Sequence, residues 1–263
     1  MIPVAANPYP IVMAHRGGGD EAAENSMAAF RRLKDIGIRY LETDAQLTAD
    51  GQVVLCHDES LDRTYGGQGL ISEHLFKDIL KLRDADGGQM PLLADVLNEF
   101  PDLYLNLDAK TNDVAEPMLQ VLREHDALGR TMIASFSERR LEKIRKEGGP
   151  EVSTSLGVGA IVRLMIAAQT NTNAETWRVP GPRLRARAAQ VPIRTRGIRV
   201  LDQRFVVASH EAGLAVHVWT VNDPQVMVDL VQMGVDGIIT DRPAMAKEVM
   251  AGMGLWAQPN SRD

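Results

Sequence analysis

Short apolar runs alternate with segments of helical apolar spacing along nearly the whole chain. The runs that predict strands are Ile11–His15, Arg39–Asp44, Val53–His57, Leu103–Asp108, Thr131–Ser135, Val152–Leu156, Leu214–Thr220 and Gly237–Thr240. Between several of them, apolar residues three and four apart predict helices over Ser26–Ile36, Val114–His125, Glu138–Lys146, Asp202–Ala212, Pro224–Met233 and Pro243–Met250, because such positions share one helix face. Asp223-Pro224 and Arg242-Pro243 put proline in a first helical turn, where its missing N–H is no loss. Strand–helix alternation predicts a parallel sheet, since parallel neighbours must be joined by crossovers. Seven to nine strands in 263 residues, with no G-x-G-x-x-G fingerprint after the first, favour an α/β fold of the closed (β/α)8 TIM-barrel type over an open doubly wound sheet. The glycine run Gly17-Gly18-Gly19 is followed by Asp20 and Glu21, whose charge would repel a phosphate.

Two regions break the alternation. Residues 59–92 carry Asp62-Arg63-Thr64, Gly66-Gly67, Gly69 and Gly87-Gly88, with a short helical piece near Ser72–Lys81. This segment reads as a small inserted cap in a single domain spanning 1–263, arching over one end of the barrel. Residues 173–199 hold seven arginines and three prolines among few apolar residues. That pattern reads as a solvated loop, or else as an anion-facing rim. Residues 258–263 read as a frayed tail.

Composition narrows the classes further. With 44% hydrophobic and 24% charged residues the chain is ordinary globular material, and its one cysteine, Cys56, permits no internal disulfide. The formal net charge of −6 disfavours nucleic acid as a partner, because a polyphosphate would be repelled overall. An anionic substrate would therefore need a cation, or individual arginines and lysines, at its site. The first ten residues show no basic segment leading into an apolar one. The longest apolar stretches, such as Ile161–Ala168, fall far short of the roughly 20 residues a membrane span needs. A cytoplasmic protein without stable membrane insertion is expected.

The unusual polar residues fall at one end of the predicted strands. His15 ends the first, Glu42 and Asp44 the second, His57 the third, Asp108 and Lys110 the fourth; Trp219 and Asp241 follow near the last two. In a barrel, the carboxyl ends of the strands carry the active site. Glu42 and Asp44, two apart on a strand, project to one face, and converging carboxylates repel unless a cation or a proton lies between them. Oxygen ligands suit a hard divalent ion, Mg2+ or Ca2+, and Asp108 could add a third carboxylate. His15 and His57 suit acid–base work near neutral pH. One would take a proton from the attacking oxygen and the other would protonate the leaving alkoxide, with Arg16 and Lys110 holding phosphoryl oxygens. His74, His125, His210 and His217 lie away from this group and read as structural or surface residues, and Cys56 as a buried thiol.

The runs His15-Arg16-Gly17, Glu24-Asn25-Ser26, Leu41-Glu42-Thr43-Asp44, Thr48-Ala49-Asp50-Gly51, His57-Asp58 and Leu61-Asp62-Arg63-Thr64 occur in that order. Together they resemble the opening of the glycerophosphodiester phosphodiesterases. Leu107-Asp108-Ala109-Lys110, Ser135-Phe136, Val218–Asn222 and Gly234–Asp241 continue the likeness, which covers about residues 11–250. The resemblance implies a capped barrel that hydrolyses small glycerophosphodiesters to glycerol 3-phosphate and an alcohol with one divalent cation. It implies His15 and His57 as the acid–base pair, and Glu42 and Asp44 as metal ligands. Arg16 and Lys110 become phosphate contacts, and Phe136 and Trp219 walls of the substrate cleft.

Two departures from the family pattern stand out. Ala23-Glu24-Asn25-Ser26 replaces Pro-Glu-Asn-Thr, with Ser26 keeping a capping hydroxyl. Asp108 stands where the third metal ligand is usually a glutamate, one methylene longer. Glu24 is assigned to orienting Arg16 or His15. Two alternatives stay open: the same chemistry on lysophospholipids (a lysophospholipase D), or a non-catalytic barrel that recognises a phosphorylated ligand. Oligomeric state and direct water attack against a cyclic phosphate intermediate are not legible.

Overall fold

Apolar residues with β-branched neighbours, bounded by polar or glycine-rich turns, form the strands; amphipathic stretches between them form the covering helices. The computed structural model describes residues 9–256; the tail at 258–263 and the segment at 1–8 lie outside the described residues. The strands are β1 (Ile11–His15), β2 (Tyr40–Leu47), β3 (Val53–Leu55), β4 (Tyr104–Ala109), β5 (Thr131–Ala134), β6 (Ser153–Ser155), β7 (Ala186–Val191), β8 (Arg194–Thr195), β9 (Ile198–Arg199), β10 (Ala215–Val218) and β11 (Gly237–Thr240). The α-helices are α1 (Met27–Asp35), α2 (Asp62–Tyr65), α3 (Phe76–Ile79), α4 (Leu93–Glu99), α5 (Ala115–Glu124), α6 (Glu138–Glu147), α7 (Val158–Thr170), α8 (Gln203–Glu211), α9 (Pro224–Met233) and α10 (Pro243–Gly252).

Eight strands run parallel in the order β1-β2-β4-β5-β6-β7-β10-β11, and β11 pairs back onto β1 to close the barrel. The expected fold class is the observed one. Phe30 and Leu33 of α1 are fully buried with Leu41 in the layer between helices and barrel, and a side chain like Phe30 contributes about 1.5–3 kcal/mol by that burial. Tyr40 and Tyr104, at the amino-terminal ends of β2 and β4, stack at 5.1 Å between ring centroids.

Three sequence expectations need correction. Val53–His57 is not a barrel strand: Val53–Leu55 alone is extended, and it pairs antiparallel with Ala45–Leu47 of β2. The Thr48–Gly51 turn explains this, with the Thr48 hydroxyl donating to Asp50 at 2.7 Å and Gly51 at φ +78°, so the chain doubles back instead of crossing over. The strand that completes the barrel is β7, inside the arginine-rich stretch expected to be a loop. Its Ala186, Ala188, Ala189 and Val191 are buried, and alternating arginines and small residues hid an inward-facing strand. Helices α4 and α7 were also missed; α7 is so uniformly apolar that periodicity could not set its buried face apart.

The segment 59–92 folds as α2, a 3-10 turn at Ile71–Glu73 and α3, more structured than the single short helix expected. It has its own apolar cluster of Val54, Cys56, Leu61, Tyr65, Ile71, Ile79 and Met90. Among the described residues no helix is long and apolar enough to cross a membrane.

Candidate active site

The loop after β1 turns sharply to deliver Arg16. Gly17 (φ +87°) and Gly18 (φ +97°) adopt left-handed backbone, and a Cβ on them would lie 2.8 Å from the Ala29 Cβ and 2.8 Å from the Pro243 ring. Only glycine fits the gap between α1 and α10. The run thus serves close backbone approach, with no phosphate required. Ser26 caps α1, its hydroxyl accepting from the Ala29 N–H at 3.1 Å. Glu21 accepts from the Ala244 N–H at 3.2 Å at the start of α10.

Each predicted site residue lines one cavity of about 360 Å3 at the carboxyl ends of the strands: His15, Arg16, Glu42, Asp44, His57, Asp108, Lys110, Phe136 and Trp219. Barrel register makes them neighbours, with His15 beside Glu42 and Asp44 beside Asp108. His57 arrives by the β2–β3 hairpin, whose return is fixed by the Cys56 N–H donating to the Asp44 carbonyl at 3.0 Å. Phe136 and Trp219 meet edge to face at 5.9 Å. A hollow of similar size at the opposite end, lined by Lys34, Glu99 and Lys247 among others, gathers no histidine.

Both histidines are oriented by carboxylates through Nδ1. His15 Nδ1 lies 2.6 Å from Asp241 Oδ1, and its Nε2 is 3.8 Å from Glu42. Burial works against the His15 imidazolium, but the Asp241 hydrogen bond and the Glu42 charge outweigh it and hold its pKa above the ordinary value. Asp241 is itself fixed by Asn222, whose amide donates to Oδ2 at 2.8 Å. His57 Nδ1 lies 2.7 Å from Asp58.

Arg63 of α2 holds Asp58, and it also donates to Glu24 at 2.5 Å. Glu24 in turn accepts from Arg16 at 3.2 Å. Its carboxyl is held below the usual range because the Arg63 and Arg16 contacts outweigh burial. A chain of charges therefore runs from Arg16 through Glu24, Arg63 and Asp58 to His57.

The acidic group is electrostatically frustrated. Burial first, and then the neighbouring Asp44 charge, push the Glu42 carboxyl up to about 8. Asp44 stays below the ordinary range despite burial, because Lys110 and Arg16 face it; burial raises Asp108. Lys110 Nζ sits 2.7 Å from Asp44 and 2.9 Å from Asp108, and those two charges raise its pKa against the effect of burial. Among the described residues no three His, Cys, Asp or Glu side chains form a ready-made metal cage. The donor chemistry nonetheless suits a hard divalent cation: three buried carboxylates meet here, and Asp108 Oδ1 is buried with no hydrogen-bond partner. Such an oxygen is costly to bury unless it is compensated.

Several residues without an assigned role belong to this machinery. Asp58, Arg63 and Asn222 lie in the motif runs, which was their only signal, whereas Asp241 also stands among the polar residues at the strand ends. Asn25 is another: it accepts from the Thr43 hydroxyl at 2.6 Å and donates to Asp44 at 3.2 Å. Below them, buried His217 takes a hydrogen bond from Gln190 at 3.2 Å, and Gln190 also donates to Asn106 at 3.1 Å. Cys56 is buried as expected, its thiol pushed up to about 12 chiefly by burial.

Comparison with known proteins follows the same line. The glycerophosphoryl diester phosphodiesterase family matches residues 15–245. A Mycobacterium tuberculosis protein named probable glycerophosphodiester phosphodiesterase 2 is 36% identical over 247 residues, spanning 94% of this chain and 92% of that protein. A glycerophosphodiester phosphodiesterase of Caldanaerobacter subterraneus is 30% identical over 248 residues, spanning 89% and 94%. A solved phosphodiesterase of Oleispira antarctica, in complex with the product sn-glycerol-3-phosphate, matches with a TM-score of 0.75 at 25% identity, covering 92% of this chain and 97% of that one.

Proposed function

This chain belongs to the glycerophosphoryl diester phosphodiesterase family, and on that premise we propose that it hydrolyses glycerophosphodiesters to glycerol 3-phosphate and an alcohol, with His15 and His57 as the acid–base pair. The observation that carries this reading is the pairing of each imidazole with its own carboxylate, Asp241 at 2.6 Å and Asp58 at 2.7 Å, on the wall of one cavity. A carboxylate on Nδ1 fixes the tautomer and leaves Nε2 to exchange a proton with substrate. One Nε2 removes the proton of the attacking oxygen and the other protonates the departing alkoxide; one water is consumed, its oxygen ending on phosphorus, and the two histidines exchange protonation states. Arg16 and Lys110 bind the non-bridging phosphoryl oxygens, Lys110 exchanging carboxylate partners for phosphate. Phe136 and Trp219 flank the organic part of the substrate.

Glu42, Asp44 and Asp108 are the residues that would hold a divalent cation, Mg2+ or Ca2+. When bound, it supplies Lewis-acid polarisation of a phosphoryl oxygen and relieves the crowding of three carboxylates. Asp44 and Asp108 are each one methylene shorter than Glu42, and Lys110 between them supplies a second positive charge to the same cluster.

Replacing His57 with alanine tests the assignment. The expected result is a loss of several orders of magnitude in kcat toward glycerophosphocholine, with the fold intact by circular dichroism. A fully active His57→Ala enzyme would end the reading. An apolar wall of Phe136, Val158, Ile161 and Val162 lines the same cavity and favours, as a second reading, the same chemistry on lysophospholipids. Choline release from lysophosphatidylcholine, compared with glycerophosphocholine, separates the two.

A further inference from the structure

The loop that follows β7 ends in a hairpin, β8–β9, at the rim of the catalytic mouth. Its turn, Arg196-Gly197, has φ +46° and +83°, two left-handed residues in succession as a two-residue hairpin of matching twist requires. Arg194 pairs with Arg199 and Thr195 with Ile198. Directly opposed residues of an antiparallel pair share a face, so Ile198 lies on the face of Thr195, which lines the cavity. The two arginines share the other face.

This hairpin is costly for the protein alone. Like charges directly opposite one another destabilise a two-stranded ribbon, and such a ribbon is marginal to begin with. Among the described residues, Arg194, Arg196 and Arg199 make no ion pair with any carboxylate; Arg194 and Arg199 reach only the carbonyls of Gly197 and Leu201. Three uncompensated cations stand at one mouth of a chain with net charge −6.

Beside them lie apolar side chains left in water. Ile198 is 60% exposed and Phe136 61%. Along α7, Val158, Val162 and Ile166 are exposed at successive positions four apart, a single stripe running away from the same cavity that Val158 and Val162 line. Apolar surface gathered at one place with basic residues around it is what binds an anionic lipid interface.

We infer that the β8–β9 hairpin, with the neighbouring Phe136 and the exposed stripe of α7, forms a docking surface for an anionic phospholipid membrane, setting the catalytic mouth against the lipid headgroups. Arg194, Arg196 and Arg199 meet the lipid phosphates, and Ile198 enters the headgroup layer. This placement gives the opposed arginines the anionic partners they lack in the free protein. The surface does not depend on which phosphodiester the site cleaves.

Co-sedimentation of the whole protein with phosphatidylcholine vesicles, with and without phosphatidylglycerol, tests this. Binding to the anionic vesicles alone, weakening as salt is added, is expected. Each basic residue near such a surface strengthens binding by roughly fivefold. The triple variant R194E/R196E/R199E should therefore lose binding by roughly a hundredfold or more, and I198S should weaken it several-fold. Both variants should keep turnover of soluble glycerophosphocholine, which also shows that they fold. The inference is overturned by wild-type protein that ignores anionic vesicles or binds neutral ones equally well. It is equally overturned if I198S binds vesicles as wild type does, since a plain polyanion site, for nucleic acid or an acidic protein, would not need Ile198. Failure of the wild type to cleave the soluble diester would count against the proposed reaction and leave the vesicle result readable.

Discussion

His15 and Asp241, 226 residues apart in sequence, are joined by a 2.6 Å contact across the β11–β1 seam that closes the barrel. The last strand thereby orients a side chain of the first. Asp241→Asn keeps the shape of the side chain but removes the charge that fixes the His15 tautomer. It should lower kcat by about a hundredfold to ten-thousandfold, with KM changed far less. Steady-state kinetics on glycerophosphocholine check this, and a variant with normal kcat would remove Asp241 from the mechanism.

Arg63 ties two supports together. Because it holds both Asp58 and Glu24, Arg63→Ala should disturb His57 and Arg16 at once, lowering kcat and raising KM. The size should be roughly tenfold to a hundredfold in kcat/KM, within what loss of oriented supporting groups costs. A double-mutant cycle with Asp58→Asn should be strongly non-additive, since the second change removes a group already released. Simple additivity would mean that the two residues act separately.

Three carboxylates around one lysine should respond to cations. EDTA treatment should abolish turnover, and Mg2+ or Ca2+ should restore it. An ion at a hundred times its Kd should stabilise the fold by about 2.7 kcal/mol, visible as a raised Tm. Asp44→Asn should blunt both responses. Full activity in a chelated, metal-free preparation would exclude a metal requirement.

His217 makes stability depend on pH. Burial pushes its pKa down to about 4, against about 6.5 in an unfolded chain. Between those values the unfolded state binds the extra proton, so stability falls as pH drops from about 6.5 toward 4. The full loss is on the order of 3 kcal/mol. Protonation would also set an N–H against the Gln190 amide that donates to Nδ1. Urea unfolding at neutral and acidic pH should show His217→Gln with a shallower decline than the wild type, and parallel declines would show that His217 contributes no such linkage.

The sequence alone determined the fold class and which of the named candidates share one cavity. Strand–helix alternation encodes a parallel barrel locally, and residue type at the strand ends marks the mouth, so His15, Arg16, Glu42, Asp44, His57, Asp108, Lys110 and Trp219 were legible, with Phe136 added by the family resemblance. Tertiary structure decided the rest, because partners distant in sequence leave no local pattern. The Asp241–His15 contact exists only once β11 reaches β1, and the Arg63 bridge only once α2 packs beside Asp58 and Glu24. β7 counts as a strand because its alternate small residues fill a closed barrel. His57 reaches the site because the Thr48–Gly51 turn folds the chain back into an antiparallel hairpin beside Asp44, a pairing that the apolar run Val53–His57 does not distinguish from a parallel barrel strand.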